Sequence, residues 1–193
     1  MHSPRLSYLG TTSALARCPL KFSAPQETLN SNARRFSTDP DMARPIKQKY
    51  KISETFNAPL DYVFAWCTDF REDDNRYTGS KTVRKILEKD AERVIWRVRY
   101  KEGKGFTEGV RAVWLSPPRS WHLDTCGDGR EVGDYKLTPL GKSKTRLDMK
   151  FVVTYDSKDE VEDKDEWEAD GVKHWKLYKK ALEADFKAGR PAR

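Results

Sequence analysis

The segment YKISETFNAPLDYVFAWCTDF, residues 50–70, decides how the rest of the chain is interpreted. A strand-like run ends at Phe56, and Asn57-Ala58-Pro59 follow directly. Pro59 suits the first turn of a helix, because the missing N–H of proline has no intrahelical partner there. Apolar residues then recur at the helical spacing i, i+3, i+4 and i+7, at Leu60, Val63, Phe64 and Cys67. The segment therefore predicts a strand that leads at once into an amphipathic helix.

Downstream of this helix the chain consists of successive strand patterns. Alternation of apolar and polar residues is clearest through Val94, Trp96, Val98 and Tyr100, and again through Leu147, Met149, Phe151, Val153 and Tyr155. Short turn sequences rich in Gly and Pro separate the runs, which predicts an antiparallel meander. The chain closes with one long helix over about residues 158–187, with an apolar stripe at Trp175, Tyr178, Leu182 and Phe186.

The composition excludes several classes of function. The chain has 193 residues, and its 37 basic residues face 30 acidic ones, for a net charge of +7. The two signs are interspersed, whereas a nucleic-acid footprint would cluster the positive charge. No apolar run approaches the roughly 18 residues that a membrane helix needs. We therefore expect a soluble protein with no nucleic-acid partner and no transmembrane segment, and no feature of the sequence specifies an oligomeric state.

No metal or cofactor site is visible in the sequence. Cys18, Cys67 and Cys126 lie far apart, and the three histidines show no metal-ligand spacing with each other or with a cysteine. The sequence has no phosphate-binding loop, dinucleotide fingerprint or zinc-protease motif. We expect no cofactor and no metal.

Residues 1–41 differ from the rest of the chain, and we predict that they form a disordered extension before a domain at residues 42–193. The segment lacks periodicity and cannot bury enough apolar surface to offset the entropy of ordering it.

Two interpretations of the extension compete. The segment is basic, Ser-rich and poor in acidic residues, as transit peptides are, and Arg34-Arg35-Phe36-Ser37 resembles a mitochondrial presequence cleavage site. Alternatively, translation begins at Met42. We favour the second interpretation, because Pro4, Pro19 and Pro25 interrupt any amphipathic helix. The predicted location is cytoplasmic, or mitochondrial if the extension is a presequence.

The order of elements resembles the START-like, or SRPBCC, superfamily over about residues 47–187. The residues that carry the resemblance are Phe56-Asn57-Ala58-Pro59, the helix from Leu60 to Phe64, Asp69, Pro118-Arg119, Tyr135–Pro139 and Lys144–Leu147, with the closing helix. The resemblance implies an α+β helix-grip fold. In this fold a curved antiparallel sheet wraps around a long C-terminal helix, and two short helices follow the first strand. The superfamily includes lipid and sterol carriers, coenzyme Q-binding proteins, polyketide cyclases, hormone receptors and chaperone cofactors, so fold does not settle function.

The resemblance also implies a cavity between the concave face of the sheet and the last helix. The candidate ligand-binding residues are Trp96, Val98, Tyr100, Val110, Ala112, Trp114, Tyr135, Leu137, Met149, Phe151, Trp175, Tyr178 and Leu182. The same residues would equally line a filled core. Arg97, Arg99 and Arg111 are expected to point outward.

The main functional hypothesis is a domain that binds a hydrophobic small molecule, such as a lipid, a quinone or a polyketide-like compound, without chemistry. One alternative is an enzyme of the cyclase or dehydratase type, for which Glu108 and His122 are the catalytic candidates. The other is a protein-interaction module, such as a chaperone or respiratory accessory factor. A large apolar cavity favours binding, titratable groups inside it favour an enzyme, and a filled core favours the interaction module.

Overall fold

The computed structural model describes residues 45–102, 105–126 and 130–192, except for the side chains at 100–102, 105–107 and 126. The extension predicted at residues 1–41 lies outside the described residues. The boundary at residue 42 therefore stays a prediction.

Seven strands and two α-helices follow one another along the chain. They are β1 (Ile46–Phe56), α1 (Leu60–Thr68), a 3-10 turn (Asp74–Tyr77), β2 (Val83–Lys89), β3 (Arg93–Glu102), β4 (Gly105–Ser116), β5 (Ser120–Cys126), β6 (Arg130–Gly141), β7 (Lys144–Tyr155), a second 3-10 turn (Lys158–Glu160) and α2 (Lys164–Lys187). The strands form one curved antiparallel sheet in the order β1-β7-β6-β5-β4-β3-β2. This arrangement confirms the predicted α+β helix-grip fold.

Pairing of the first and last strands makes the sheet continuous. β1 and β7 pair from Ile46 opposite Tyr155 to Phe56 opposite Thr145. At the end of this ladder the buried Thr145 hydroxyl donates a hydrogen bond of 2.9 Å to the carbonyl of Ala58. That bond ties the Asn57-Ala58-Pro59 connection to the sheet, so the chain enters α1 at a defined position.

The long C-terminal helix is confirmed, and its α-helical part begins at Lys164. Asp163 is its N-cap: the carboxylate accepts hydrogen bonds from the backbone N–H groups of Asp165 and Glu166. Such a cap satisfies N–H groups that have no intrahelical partner. The acidic side chains of Asp165 and Glu166 also suit the positive end of the helix dipole. The acidic run at the start of this helix thus has a structural explanation.

The hydrophobic core lies between α1, α2 and one face of the sheet, which we call the inner face. Phe56, Val63, Leu137, Leu147 and Leu182 are all fully buried there. The opposite, or outer, face carries a smaller apolar cluster around Ile95. The inner face is therefore the one on which the two helices can enclose a space.

Gly171 lets α2 come close to β1. A Cβ atom at this position would lie 2.1 Å from Cδ1 of Ile52, which is closer than real contacts allow. The helix therefore crosses the buried end of Ile52 at a residue without a side chain. This crossing positions the following turns of α2 over the inner face.

A buried carboxylate joins the two helices. Asp185 on α2 accepts a 3.0 Å hydrogen bond from the indole N–H of Trp66 on α1 and is 2.8 Å from an Arg190 nitrogen. Buried charges are tolerated when they are paired and hydrogen-bonded. The contact therefore holds the C-terminal part of α2 against α1.

Candidate functional site

A cavity of about 250 Å³ lies between the inner face, the end of α1 and the middle of α2. This volume is just below the range of about 300–1,000 Å³ that is typical of small-molecule sites. A water molecule takes up about 30 Å³ of liquid, so the space far exceeds a packing defect. The inner face is therefore hollow at this point.

Aromatic side chains from three parts of the chain line this cavity. The strands contribute Trp96, Trp121, Tyr135 and Phe151. The end of α1 and the segment after it contribute Trp66, Phe70 and Tyr77, and α2 contributes Trp167, Trp175 and Tyr178. Such rings are rigid and provide large apolar contact areas.

Gly133 on β6 makes room for two of these rings. A Cβ atom there would meet the Phe151 and Tyr135 rings at 3.0 Å. The two rings meet edge-on, with centroids 5.5 Å apart. A glycine at this position thus lets Tyr135 and Phe151 lie close together in the cavity wall.

Several of the predicted ligand-binding residues border the cavity, and others do not. Those that border it are Trp96, Tyr135, Phe151, Trp175 and Tyr178. Val98, Leu137, Met149 and Leu182 are buried in the core and are not among the residues that line it. The side chain of Tyr100 is not described, so its role stays a prediction.

The assignment of β4 to its two faces must be corrected. Val110, Ala112 and Trp114 pack with Ile95 in the cluster on the outer face. Arg111, expected to point outward, instead borders the cavity together with Val113. The strand register gives the reason: Arg111 lies directly opposite Trp96, and residues directly opposite share a face.

The two catalytic candidates also lie on the outer face. Glu108 is exposed and forms an ion pair with Arg99. His122 Nδ1 lies 2.8 Å from a carboxylate oxygen of Asp134, and its ring is beside Trp114. Neither Glu108 nor His122 borders the cavity, so neither can act on a molecule held inside it.

Most of the charged side chains around the cavity are held by partners within the protein. Arg84 lies 2.8 Å from a carboxylate oxygen of Asp74, and its guanidinium stands 5.0 Å from the centroid of the Trp96 ring. Asp69 pairs with Arg71 and Lys89. Within each of these ion pairs the opposite charges offset one another. Arg111 and Glu131 also border the cavity.

Comparison with solved structures supports this architecture. A START superfamily protein from Mycobacterium smegmatis matches with a TM-score of 0.53 at 15% identity, over 72% of this chain and 97% of that one. The Zhui aromatase/cyclase from Streptomyces sp. R1128 matches with a TM-score of 0.52 at 15% identity, over 72% of this chain and 93% of that one. The protein Ara h 8.0201 matches with a TM-score of 0.54 at 13% identity, over 72% of this chain and 96% of that one.

This chain has the helix-grip fold of the START-like superfamily. At these identities the similarity establishes the fold alone. No family model matches the sequence, and no curated protein is significantly similar to it. Among the residues that the structure describes, no helix is long and apolar enough to cross a membrane.

Three titratable side chains of the cavity wall, Tyr135, Cys67 and His174, are uncharged at neutral pH. Burial raises the pKa of the Tyr135 phenol; Glu131 adds to the rise, and Arg111 offsets part of it. Burial also raises the pKa of the Cys67 thiol. The His174 ring lies against Tyr178, and desolvation, followed by the charge of Arg111, lowers its pKa. The phenol and thiol keep their protons, so these groups are suited to hydrogen bonding rather than nucleophilic attack.

Sequence reasoning missed several residues of the cavity wall. On α2 the signal was present, because Trp167 and Gly171 continue the spacing of Trp175 and Tyr178 towards the start of the helix. On β4 no such signal existed. Apolar residues occupy both faces of that strand, so alternation alone could not place Arg111 on the inner face.

Proposed function

We propose that this protein binds a small hydrophobic molecule in the cavity between the sheet and α2. The observation that carries the proposal is the cavity itself, which is about 250 Å³ and lined mainly by rings. Small-molecule sites are concave, mostly apolar and supplied with a few polar groups that fix orientation. Arg111, Tyr135 and His174 are polar groups of this kind.

The geometry of the walls favours a flat ligand over a flexible chain. Trp121 stacks on Tyr135 with centroids 4.9 Å apart, and Phe70 stacks on Trp96 at 5.0 Å. Trp175 closes the other side, 6.2 Å from Tyr135. Rings prefer offset-stacked or edge-on neighbours, so a ring-bearing ligand extends the packing already present. Quinone-like and polyketide-like rings therefore fit this space better than a long acyl chain.

The two alternatives receive less support. An interaction module would have a filled core, and the inner face is hollow. A cyclase or dehydratase would place an acid or base beside the ligand, but Glu108 and His122 face the other way. Similarity to the aromatase/cyclase is compatible with a polyketide-like ligand, and Tyr135 could donate a hydrogen bond to a carbonyl of such a molecule. Binding without chemistry remains the simplest account of the site.

A bulky residue placed in the cavity should abolish binding. Leu123 borders the space from β5, and the indole of Leu123→Trp would occupy the volume that a ligand needs. We expect the full chain to bind the fluorescent probe 1-anilinonaphthalene-8-sulfonate saturably at one site. In Leu123→Trp the dissociation constant of the probe should rise at least about tenfold, because a loss of only about 1.4 kcal/mol of binding free energy corresponds to a factor of ten.

Val132→Trp is the matched control. Val132 is half-buried on the outer face of the adjacent strand, so the variant has the same number of tryptophans but leaves the cavity unchanged. Its affinity for the probe should equal that of the wild type, and circular dichroism should show that both variants are folded. Absence of saturable binding by the wild type, or equal affinity in folded Leu123→Trp, would refute the proposed function.

A further inference from the structure

The hydroxyl of Tyr135 is available to a molecule inside the cavity. Tyr135 lies on β6 and borders the cavity. Among the residues that the structure describes, none forms a hydrogen bond with this hydroxyl. The side chain is half-buried, and its oxygen differs from the hydroxyl of Thr125, which the protein encloses. The Tyr135 hydroxyl therefore has unused hydrogen-bonding capacity at a place that a ligand can reach.

Three aromatic neighbours hold the Tyr135 ring in place. Trp121 stacks on it with centroids 4.9 Å apart and an interplanar angle of 15°. Phe151 meets it edge-on at 5.5 Å, and Trp175 of α2 lies at 6.2 Å. The hydroxyl of a tyrosine in the protein interior usually finds a hydrogen-bond partner. Since the described part of the chain provides none here, a ligand in the cavity can supply the partner at a fixed position.

The Tyr135 hydroxyl is a hydrogen-bond donor at neutral pH. Burial raises the pKa of the phenol, Glu131 adds to the rise, and Arg111 offsets part of it. The phenol therefore keeps its proton. Its O–H donates more readily than its oxygen accepts, because the ring withdraws electron density from the oxygen. The matching group on a ligand is an acceptor, and a carbonyl oxygen, which has two lone pairs, is the simplest one.

The charges around the cavity favour an acceptor without a charge of its own. Burying a charge is costly unless an opposite charge accompanies it. Arg84 is paired with Asp74, and Arg111 has an interaction partner within the protein. Glu131 borders the cavity, and its negative charge acts on the Tyr135 phenol, so it would repel an anion there. A ketone oxygen accepts the hydrogen bond without needing a counter-ion.

We propose that the ligand is an uncharged ring compound with a carbonyl group, whose oxygen accepts a hydrogen bond from the Tyr135 hydroxyl. The aromatic wall binds the apolar part of the ligand, and Tyr135 determines specificity by favouring a carbonyl over an apolar group at this position. This inference rests on the proposed function and specifies the chemical class of the ligand.

Two probes of nearly the same shape test this hydrogen bond. 2-Acetylnaphthalene carries a ketone, and in 2-isopropenylnaphthalene a methylene group replaces the carbonyl oxygen. Their affinities for the full chain are measured by displacement of the uncharged fluorescent probe N-phenyl-1-naphthylamine. Tyr135→Phe keeps the ring but deletes the hydroxyl. It should weaken binding of the ketone about threefold or more, as loss of one ordinary hydrogen bond does, and change the affinity for the hydrocarbon less than about twofold.

Tyr62→Phe is the matched control. The Tyr62 hydroxyl donates a 3.2 Å hydrogen bond to the carbonyl of Arg190, and Tyr62 is not among the residues that line the cavity. The same atom is removed, and the affinities for both probes should be unchanged. Circular dichroism should show that both variants are folded.

Carbon-13 NMR of the ketone, labelled at its carbonyl carbon, gives a readout that does not depend on affinity. A hydrogen bond to the carbonyl oxygen moves this resonance downfield. The resonance of the bound ketone should therefore move upfield in Tyr135→Phe and stay unchanged in Tyr62→Phe. If Tyr135→Phe did not fold, the resonance in the wild type, compared with that of the ketone in hexane, would decide the question.

The charge of the ligand is tested with 2-naphthoate, which has the same ring system and is ionised at neutral pH. The wild type should bind it at least about threefold more weakly than 2-acetylnaphthalene, because the carboxylate loses hydration without gaining a counter-ion. Tighter binding of 2-naphthoate would overturn the proposal, since the ligand would then be an anion.

The results separate this inference from the proposed function. Equal loss of affinity for the ketone and the hydrocarbon in Tyr135→Phe, or no loss for either, would overturn the carbonyl proposal and leave the hydrophobic site intact. A ketone resonance that is the same in Tyr135→Phe and the wild type would overturn it too. Absence of saturable binding of both fluorescent probes by the wild type would instead refute the proposed function itself.

Discussion

Leu182→Ala is expected to lower the free energy of unfolding by about 2–5 kcal/mol. Leu182 is on α2, is 0% exposed, and belongs to the core between the helices and the inner face. Truncation to alanine removes most of its buried apolar surface and leaves a void that the surrounding side chains fill only in part. Urea unfolding followed by circular dichroism would give the difference.

Leu177→Ala on the same helix is the matched control. Leu177 is 44% exposed, and the same truncation there should change the free energy of unfolding by no more than about 0.5 kcal/mol. A cost below about 1 kcal/mol for Leu182→Ala would show that the side chain faces open space rather than packed core. The cavity would then extend further along α2 than the structure indicates.

Phe56→Ala should be at least as damaging, with a loss of about 3–5 kcal/mol. Phe56 ends β1, is 0% exposed, and meets the Trp175 ring edge-on at 6.5 Å. It stands directly before the connection to α1, on the face of the sheet that α2 covers. Its loss therefore removes core contacts between the end of β1 and α2.

Lys51→Ala on the same strand provides the comparison. Lys51 is exposed, and the hydrogen bond from its backbone N–H to Glu168 does not depend on its side chain. We expect this control to stay within about 0.5 kcal/mol of the wild type in the same urea experiment. If Phe56→Ala cost less than about 1.5 kcal/mol, Phe56 would not be packed in the core as the structure shows.

The sequence predicted the strand and helix of residues 50–70 because the signals there are local. Phe56, Pro59 and the spacing from Leu60 to Cys67 each restrict the backbone within a few residues. The two strong alternations in β3 and β7 likewise showed which residues share a face. The order of elements followed from these signals and the short turns between them.

The polar part of the site could not be predicted in the same way. Whether Arg111 faces the cavity depends on which face of β4 meets α2, and that depends on pairing with β3 rather than on β4 itself. Val110, Ala112 and Val113 make both faces of β4 apolar, so alternation was ambiguous. Glu108 became a catalytic candidate for the same reason. His122 lies on β5, where its position two residues before Asp124 suggested acid–base chemistry.

The presence of the cavity could not be predicted from the sequence either. The residues that line a cavity and those that fill a core are of the same types, as Trp96 and Met149 show. What distinguishes them is the distance between α2 and the sheet. That distance depends on contacts such as Gly171 with Ile52, which join residues far apart in the chain.

The most direct test of the central claim is a crystal structure of the full chain grown with 1-anilinonaphthalene-8-sulfonate. The account predicts density for one probe molecule between the inner face and α2, in contact with Trp96, Tyr135 and Trp175. Density for the probe only on the outer face, beside Ile95 and Trp114, with side chains filling the cavity, would contradict it.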